Sequence, residues 1–147
     1  MATTRIDPYN GYNFAVEIDG ITSAGFKSAS GLDTTVATIP YREGTDAGLM
    51  QRQLPGLVTF SNVTLTRGIT NDRQLWDWHD SVANGTLQRK SLSVVLYDNK
   101  GNEKVRWNLV NAWPTKWSGP SFDAAGDAIA IETLELAHEG LEVQTWS

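Results

Sequence analysis

The chain has 147 residues and a mass of 16.2 kDa, a length that fits one domain with its own hydrophobic core. It contains no cysteine, which excludes disulfide frameworks, thiolate zinc sites and cysteine nucleophiles. Twelve basic and seventeen acidic residues give a formal charge of -5, which argues against a duplex-binding surface built on phosphate neutralisation. No apolar run approaches the length that spans a bilayer, so we expect a soluble protein without a membrane anchor, made in the cytoplasm.

The N-terminal third has the alternating pattern of a half-buried strand followed by extended chain. The apolar members of the alternation are Tyr12, Phe14, Val16 and Ile18. This spacing places them on one side of a strand, which Asp19-Gly20 ends in a hairpin turn. Residues 21–39 are rich in Ser and Thr, and we predict two further strands there, closed by Pro40.

The segment from Tyr41 to Leu54 is mostly polar and shows no stable period, which predicts an extended loop. Uncovered segments of that length in a compact domain are either functional or mobile. A solvated loop has little use for Leu49, Met50 and Leu54, which favour a partner surface over a mobile loop.

A strand is predicted over residues 57–66, with a bulge near Ser61-Asn62 where the apolar phase changes. One helix follows, from Asn71 to Ala83. Asn71 can cap its first turn with Gln74 reaching back, and Asn84-Gly85 supplies a left-handed stop.

One face of this helix is apolar, because Leu75, Trp78 and Val82 follow i, i+3, i+7 spacing. A helix this short is marginal alone, so we expect it to pack on a sheet.

The C-terminal half reads as strands. Residues 92–96 and 105–109 alternate on either side of a turn at 98–101, which predicts a hairpin. Residues 111–120 are predicted to be an aromatic connection, and 128–138 the last strand. The predicted fold class is mainly β: a single domain over residues 1–147, built as a β-barrel or sandwich of antiparallel strands with one flanking α-helix at about 71–83.

The sequence offers little chemistry. His79 and His138 lack metal-ligand spacing and no nucleophile elbow is present, so a packed or capping role is favoured over an esterase-like site. We expect no enzyme activity, no catalytic residue, no metal and no cofactor. A carbohydrate-binding β-sandwich module remains the alternative. Its platform would use tryptophans outside the predicted core stripes, namely Trp76, Trp113, Trp117 and Trp146.

Short motifs in a fixed order carry a resemblance to a known family. They are Asp7-Pro8-Tyr9, Phe14-Ala-Val-Glu-Ile-Asp-Gly20, Gly25-Phe26, Ser30-Gly-Leu32, Tyr41-Arg-Glu-Gly44, Leu54-Pro-Gly-Leu57, Leu65-Thr-Arg-Gly68, Leu75-Trp-Asp-Trp78, Asn111-Ala-Trp-Pro-Thr-Lys-Trp117 and Glu132-Thr-Leu-Glu-Leu-Ala-His-Glu-Gly140. In this combination the chain resembles the tail tube family, the inner-tube proteins of contractile-tailed phages and extracellular contractile injection systems. That family is similar in fold to the tube protein of type VI secretion. One departure is Gln53, where relatives often carry a second basic residue.

The resemblance implies a structural protein that forms rings of six copies, stacked into a hollow tube inside a contractile sheath. It implies sheath, baseplate and tail-terminator or cap proteins as partners, and DNA or protein cargo that passes through the lumen without specific binding. The particle would be a virion tail or an extracellular injection system, assembled in the bacterial cytoplasm.

The resemblance also assigns subunit-interface residues. The extended segment near 41–54 reaches toward the next ring in this family, and two helix residues lie beside the core stripe where a neighbour could cover them. The interface residues so implied are Tyr41, Arg42, Glu43, Leu49, Met50, Arg52, Trp76 and His79.

Overall fold

The computed structural model describes residues 5–21, 25–44, 48 and 51–147. Within them the chain forms strands and one helix in the order β1 (Phe14–Ile18), β2 (Ser28–Ser30), β3 (Thr34–Tyr41), β4 (Arg52–Phe60), β5 (Val63–Gly68), α1 (Gln74–Ala83), β6 (Lys90–Tyr97), β7 (Glu103–Ser118), β8 (Ile131–Ala137) and β9 (Gly140–Trp146). Each pairing between these strands is antiparallel, as predicted.

Two sheets share the long strand β7. The first sheet has the order β1-β6-β7-β9, and the second sheet has the order β7-β8-β5-β2. Strand β7 passes from one to the other at Asn111, which has a φ of 53°. The two ends of the strand order, β1 and β2, do not pair with each other among the described residues, so the barrel is open rather than closed.

The core lies between the sheets and beneath the helix. Alternate residues of β5 and β8 are buried, as are Leu92 and Val94 of β6. They form one cluster with Leu75 and Trp78 of α1, while Val82 packs at its border. The predicted apolar stripe of the helix is therefore confirmed, and burying it against the sheets is what stabilises so short a helix.

A buried ion pair sits at the edge of this core. The guanidinium of Arg67, on β5, lies 3.2 Å from a carboxylate oxygen of Glu132 on β8. Its other nitrogens reach the carboxylate and the backbone carbonyl of Asp72 at 3.4 Å and 3.2 Å, and the Phe26 ring lies 5.8 Å away. Arg67 thereby ties both strands to the turn that enters the helix.

The helix begins at Gln74 rather than at Asn71. The N-cap position is Arg73, which makes no side-chain capping bond, so the cap predicted at Asn71 is wrong. The carboxylate of Asp72, just before it, accepts the Gln74 amide at 3.0 Å. The C-terminal stop is confirmed, because Gly85 has a φ of 94° and the Thr86 amide donates to the carbonyl of Ser81 at 2.8 Å.

Three prolines lie inside strands, although the sequence predicts a strand end or a connection at each of them. Pro40 lies inside β3 and Pro55 inside β4, and both strands run past the predicted breaks into the segment predicted as a loop. In a two-stranded ribbon each strand has a free outer edge, so a residue without an N–H is tolerated. Likewise Pro114 lies within β7, at a register shift, so residues 111–118 are strand rather than connection.

Two further boundaries differ from the prediction. The strand expected over residues 57–66 is divided at residues 61–62 into β4 and β5. The strand ending at Ala137 is not the last, because β9 follows it and pairs with β7. Alternating Leu141 and Val143 carried that signal in the sequence.

Candidate functional site

Strands β3 and β4 form a two-stranded ribbon that is separate from both sheets. Its register runs from Thr34 opposite Phe60 to Tyr41 opposite Arg52. Nearly every ribbon residue is exposed, and within the described residues the two strands contact chiefly each other. An isolated ribbon of this kind is marginally stable in water, so packing against a further surface would stabilise it.

Apolar side chains lie along the ribbon on paired positions. Val36 is opposite Val58, and Ile39 is opposite Leu54. Each of these is about half exposed, and Leu57 is 81% exposed. Exposed apolar side chains in cross-strand pairs favour an interaction surface on the ribbon.

The tip of the ribbon is shaped by polar contacts. Arg42 donates to the carbonyl oxygen of Gly48 at 2.7 Å, and a guanidinium nitrogen of Arg52 lies 3.5 Å from a carboxylate oxygen of Glu43. Exposed ion pairs contribute only about 0–1 kcal/mol, so this pair orients the tip more than it stabilises the fold. The predicted interface residues Leu49 and Met50 lie outside the described residues.

The root of the ribbon, where residues 31–33 meet 60–62, is closely packed. Gly31 has a φ of 92°, and a Cβ there would lie 2.1 Å from the carbonyl oxygen of Asn62. The Ser61 amide donates to the carbonyl of Asp33 at 3.4 Å, and the Asn62 amide side chain donates to Glu135 of β8 at 3.0 Å. The ribbon is therefore attached to the second sheet at one defined place.

His138 also contacts this root, as a capping histidine. Its Nε2 lies 3.0 Å from the carbonyl oxygen of Ser61, and its Nδ1 lies 3.1 Å from that of Gly140. The ring centroid is 5.4 Å from that of Phe60. Both ring nitrogens thus face backbone carbonyls instead of a nucleophile.

The first sheet has two free edges within the described part of the chain. Strand β1 pairs on one side with β6, and β9 pairs on one side with β7. Unpaired edges expose rows of N–H and C=O groups that favour pairing with another chain. Neither edge was assigned from the sequence. The strand β1 was predicted without its place in the sheet, and β9 was not predicted.

The outward face of the first sheet is polar and internally bonded. Arg106 reaches Glu103 and Glu17 at 2.8 Å each, and Asn108 accepts from Ser93 and donates to Gln144 at 2.7 Å each. The side-chain hydrogen bond from Arg106 lowers the pKa of Glu103, and the carboxylates of Glu103 and Glu17 raise the pKa of Arg106. Because the pKa of Glu103 is lowered, this contact stabilises the fold at neutral pH and is lost as the pH falls through that pKa.

The exposed side of the helix carries an aromatic cluster. Trp76 is 38% exposed and meets Trp117 of β7 edge-on at 4.9 Å, and the His79 ring lies 6.3 Å from that of Trp76. Trp117 Nε1 and His79 Nδ1 are buried without a hydrogen-bond partner among the described residues. The two tryptophan rings pack edge to face, at 77° to each other, so they do not form one flat platform for a sugar ring.

The structure brings the predicted interface residues into two separate places. The described ones near the ribbon tip are Tyr41, Arg42, Glu43 and Arg52, and those on the helix are Trp76 and His79. The contacts at the ribbon root were missed. They join residues far apart in sequence, and short-range patterns carry no signal for them.

In the part of the chain that the structure describes, neither the cavity beside residues 7–10 nor the potential metal-ligating side chains indicate a catalytic or metal site. A cavity of about 430 Å³ lies between residues 7–10 and the β6–β7 turn, and histidine, serine and cysteine are absent from its lining. No group of three or more potential metal-ligating side chains occurs among the described residues. None of their helices is long and apolar enough to cross a membrane.

The chain is similar to known proteins over most of its length. A family model described as T4-like virus tail tube protein gp19 matches residues 10–142. A sequence comparison with curated proteins finds no match.

Solved structures give closely similar chains. One is in the cryo-EM structure of the sheath-tube complex of an extracellular contractile injection system, PVC, in its extended state, with 31% identity and a TM-score of 0.83 over 94% of this chain and 92% of that one. Another is in the tube-terminating cap of the anti-feeding prophage AFP, with 31% identity and a TM-score of 0.87 over 99% and 96%. Hcp1 from Flavobacterium johnsoniae, with 15% identity and a TM-score of 0.61 over 89% and 94%, shares the fold. These matches give no support to the carbohydrate-binding alternative.

Proposed function

The chain belongs to the T4-like virus tail tube protein family, and from that premise we propose that it self-assembles into rings of six that stack into a rigid hollow tube. This family is structural, which agrees with the expectation of a protein that is not an enzyme. The observation that carries the proposal is the ribbon, an exposed element with apolar side chains that the other described residues leave uncovered. One tail-tube-like domain over residues 1–147 is sufficient for this role.

The free edges of the first sheet support the closing of rings. If β9 of one subunit pairs with β1 of the next, the contact is heterologous and uses different surfaces of the two copies. Such a contact closes into a ring when its rotation divides a full turn, and closure removes every exposed edge of that sheet. The two sheets and the helix together form the body of the subunit. Trp76 and His79 lie on the helix surface beside the core of this body, where a neighbouring subunit would cover them.

The ribbon supports the stacking of rings. A contact along the tube axis need not close, so it repeats to give a filament. We assign the axial contact to the ribbon and its tip, where its half-exposed apolar pairs become buried against the next ring. The tip residues in this contact are Tyr41, Arg42, Glu43, Leu49, Met50 and Arg52.

The partners are proposed from the particles in which similar chains occur. Those particles include the PVC sheath-tube complex and sheath/tube terminator and the AFP baseplate, the last with 6-fold symmetry. By the same relation this subunit would contact a contractile sheath, a baseplate and a terminator or cap. Contraction of the sheath would drive the tube forward as a puncturing element and conduit.

Cargo would pass without specific binding. The formal charge of -5 favours a tube that repels nucleic acid instead of holding it. Subunits would be made and assembled in the bacterial cytoplasm and would end in a virion tail or an extracellular injection particle.

Electron microscopy of the purified protein tests this function. We expect rings with six-fold symmetry, or tubes made of such rings, when the protein is concentrated. A protein that stays monomeric at high concentration and binds glycan arrays would contradict the proposal and restore the carbohydrate-binding alternative.

A further inference from the structure

His138 lies where the ribbon joins the body. Its ring connects Ser61, at the ribbon root, to Gly140, where β9 begins. The amide of Ser61 also donates to the carbonyl of Asp33, over a longer distance of 3.4 Å. The His138 bond is therefore the shorter of the two that hold Ser61.

The orientation of the root matters because the ribbon is long. Strand β4 has nine residues, and at the usual rise per residue it extends about 30 Å. A rotation of about 10° at the root would displace the tip by about 5 Å, which is more than one residue's rise along a strand. A tip that must meet the next ring therefore depends on a fixed root.

Each of the two contacts requires an N–H donor on the ring. Carbonyl oxygens only accept hydrogen bonds, and a neutral imidazole carries one N–H while the imidazolium carries two. Both bonds exist together only when His138 is doubly protonated. With one proton, the bond to Ser61 competes with the local bond to Gly140, two residues along the chain.

We propose that His138 is a positioning residue that fixes the angle of the ribbon, and that protonation of its ring strengthens this hold. The consequence for assembly rests on the proposed function: the doubly protonated ring favours stacking, and loss of one ring proton weakens it.

The strength of this hold depends on the number of protons on the His138 ring. Among the described residues, its ring packs against Phe60 and hydrogen-bonds to the backbone carbonyls of Ser61 and Gly140, which carry no charge. The nearest carboxylates in sequence are engaged elsewhere. Glu135 accepts from Asn62, and Glu139 accepts from Asn111 at 2.9 Å and lies 3.7 Å from Arg89.

A distance measurement within one subunit tests the positioning role directly. The chain has no cysteine, so Thr38→Cys on the ribbon and Lys116→Cys on β7 provide a unique pair of spin-label sites. Labelled subunits diluted with unlabelled protein report the intramolecular distance in monomers and in assemblies alike. We expect one narrow distribution at about pH 5.5 and a broadened one at about pH 8, either side of the histidine range.

Two variants separate the hydrogen bonds from the ring. His138→Phe keeps an aromatic ring against Phe60 but has no N–H, so its distribution should be broad at both pH values. His138→Gln places an amide N–H near Ser61 that does not titrate, so its distribution should be narrow at both and its stacking independent of pH. His79→Gln, at the other histidine of the chain, should keep the wild-type pH response of the distance.

The outcomes distinguish this inference from the proposed function. A wild-type distribution that is identical at both pH values, or one that His138→Gln leaves pH-dependent, would overturn the role of His138 even where tubes form. A distribution that responds as expected in a protein that never forms rings or tubes would support the positioning role and overturn the proposed function. If His138→Phe does not fold, the wild-type and His138→Gln distributions decide.

Discussion

The body and the ribbon of this chain differ in where their apolar side chains lie. In the body, two sheets and a helix bury leucine, valine and tryptophan side chains in one cluster, and even the cation of Arg67 has partners. In the ribbon, valine, isoleucine and leucine side chains are exposed. The body thus folds on its own contacts, whereas the proposed assembly would complete the ribbon with another copy.

The largest effect expected in the body is that of Trp78→Ala. Trp78 is 3% exposed and donates from its indole nitrogen to the Gln88 carbonyl at 2.8 Å, so truncation removes a packed ring and a hydrogen bond. We expect a loss of about 3–5 kcal/mol in the free energy of unfolding, measured by urea denaturation. Trp76→Ala, on the exposed side of the same helix, is the matched control. Equal losses for the two variants would show that the buried face of the helix is misassigned.

Arg67→Ala compares a buried ion pair with an exposed one. Removing Arg67 leaves the buried carboxylate of Glu132 without its cation, which should cost about 3 kcal/mol. Arg52→Ala, which removes the exposed partner of Glu43 on the ribbon, should cost less than about 1 kcal/mol. Denaturation of both variants at one pH gives the comparison, and a larger loss for Arg52→Ala would reverse it.

Gly31→Ala acts on the junction between the two regions. Its Cβ would collide with the backbone at Asn62, so we expect a loss of about 2 kcal/mol as the root shifts. Gly101→Ala has a similar φ of 84° with open space around it, and should cost about 1 kcal/mol from the left-handed conformation alone. Thermal unfolding of the pair isolates the effect of the collision, which is absent if both midpoints move equally.

The smallest effect on folding is expected from Leu57→Ser on the ribbon. This side chain is 81% exposed, so the free energy of unfolding should change by less than about 0.5 kcal/mol. Stacking should nevertheless fall, since the proposed axial contact covers this side chain. Leu87→Ser, an exposed leucine between α1 and β6, is the control and should alter neither property. Tubes of normal length from Leu57→Ser would place this leucine outside the axial contact.

The body was largely predictable from the sequence and the ribbon only in part. Alternation in β1, β6 and β8 and the i, i+3, i+7 stripe of α1 carry the body, because burial on one face imposes a period. Only the tip of the ribbon was predicted as a loop, over residues 41–54, because Pro40 and Pro55 indicate strand ends in the sequence. A ribbon with free edges accepts proline inside its strands.

The ribbon root and the polar partner of β8 were beyond such patterns. Glu132 lies on the same face as Leu134 and Leu136, and only the folded chain brings Arg67 opposite it. His138 was predicted to be a packed or capping residue, and the structure supplies the two carbonyls that it caps. Leu54 is exposed on the ribbon, and the partner surface inferred from it in the sequence stays a prediction.

The most direct test of the division between body and ribbon is the deletion of residues from Glu43 to Gln53, examined by electron microscopy beside the wild type. We expect the shortened subunit to keep its unfolding midpoint and to form rings that no longer stack, while the wild-type protein forms tubes. Long tubes from the deletion variant would contradict the account, since they would show that the axial contact lies elsewhere.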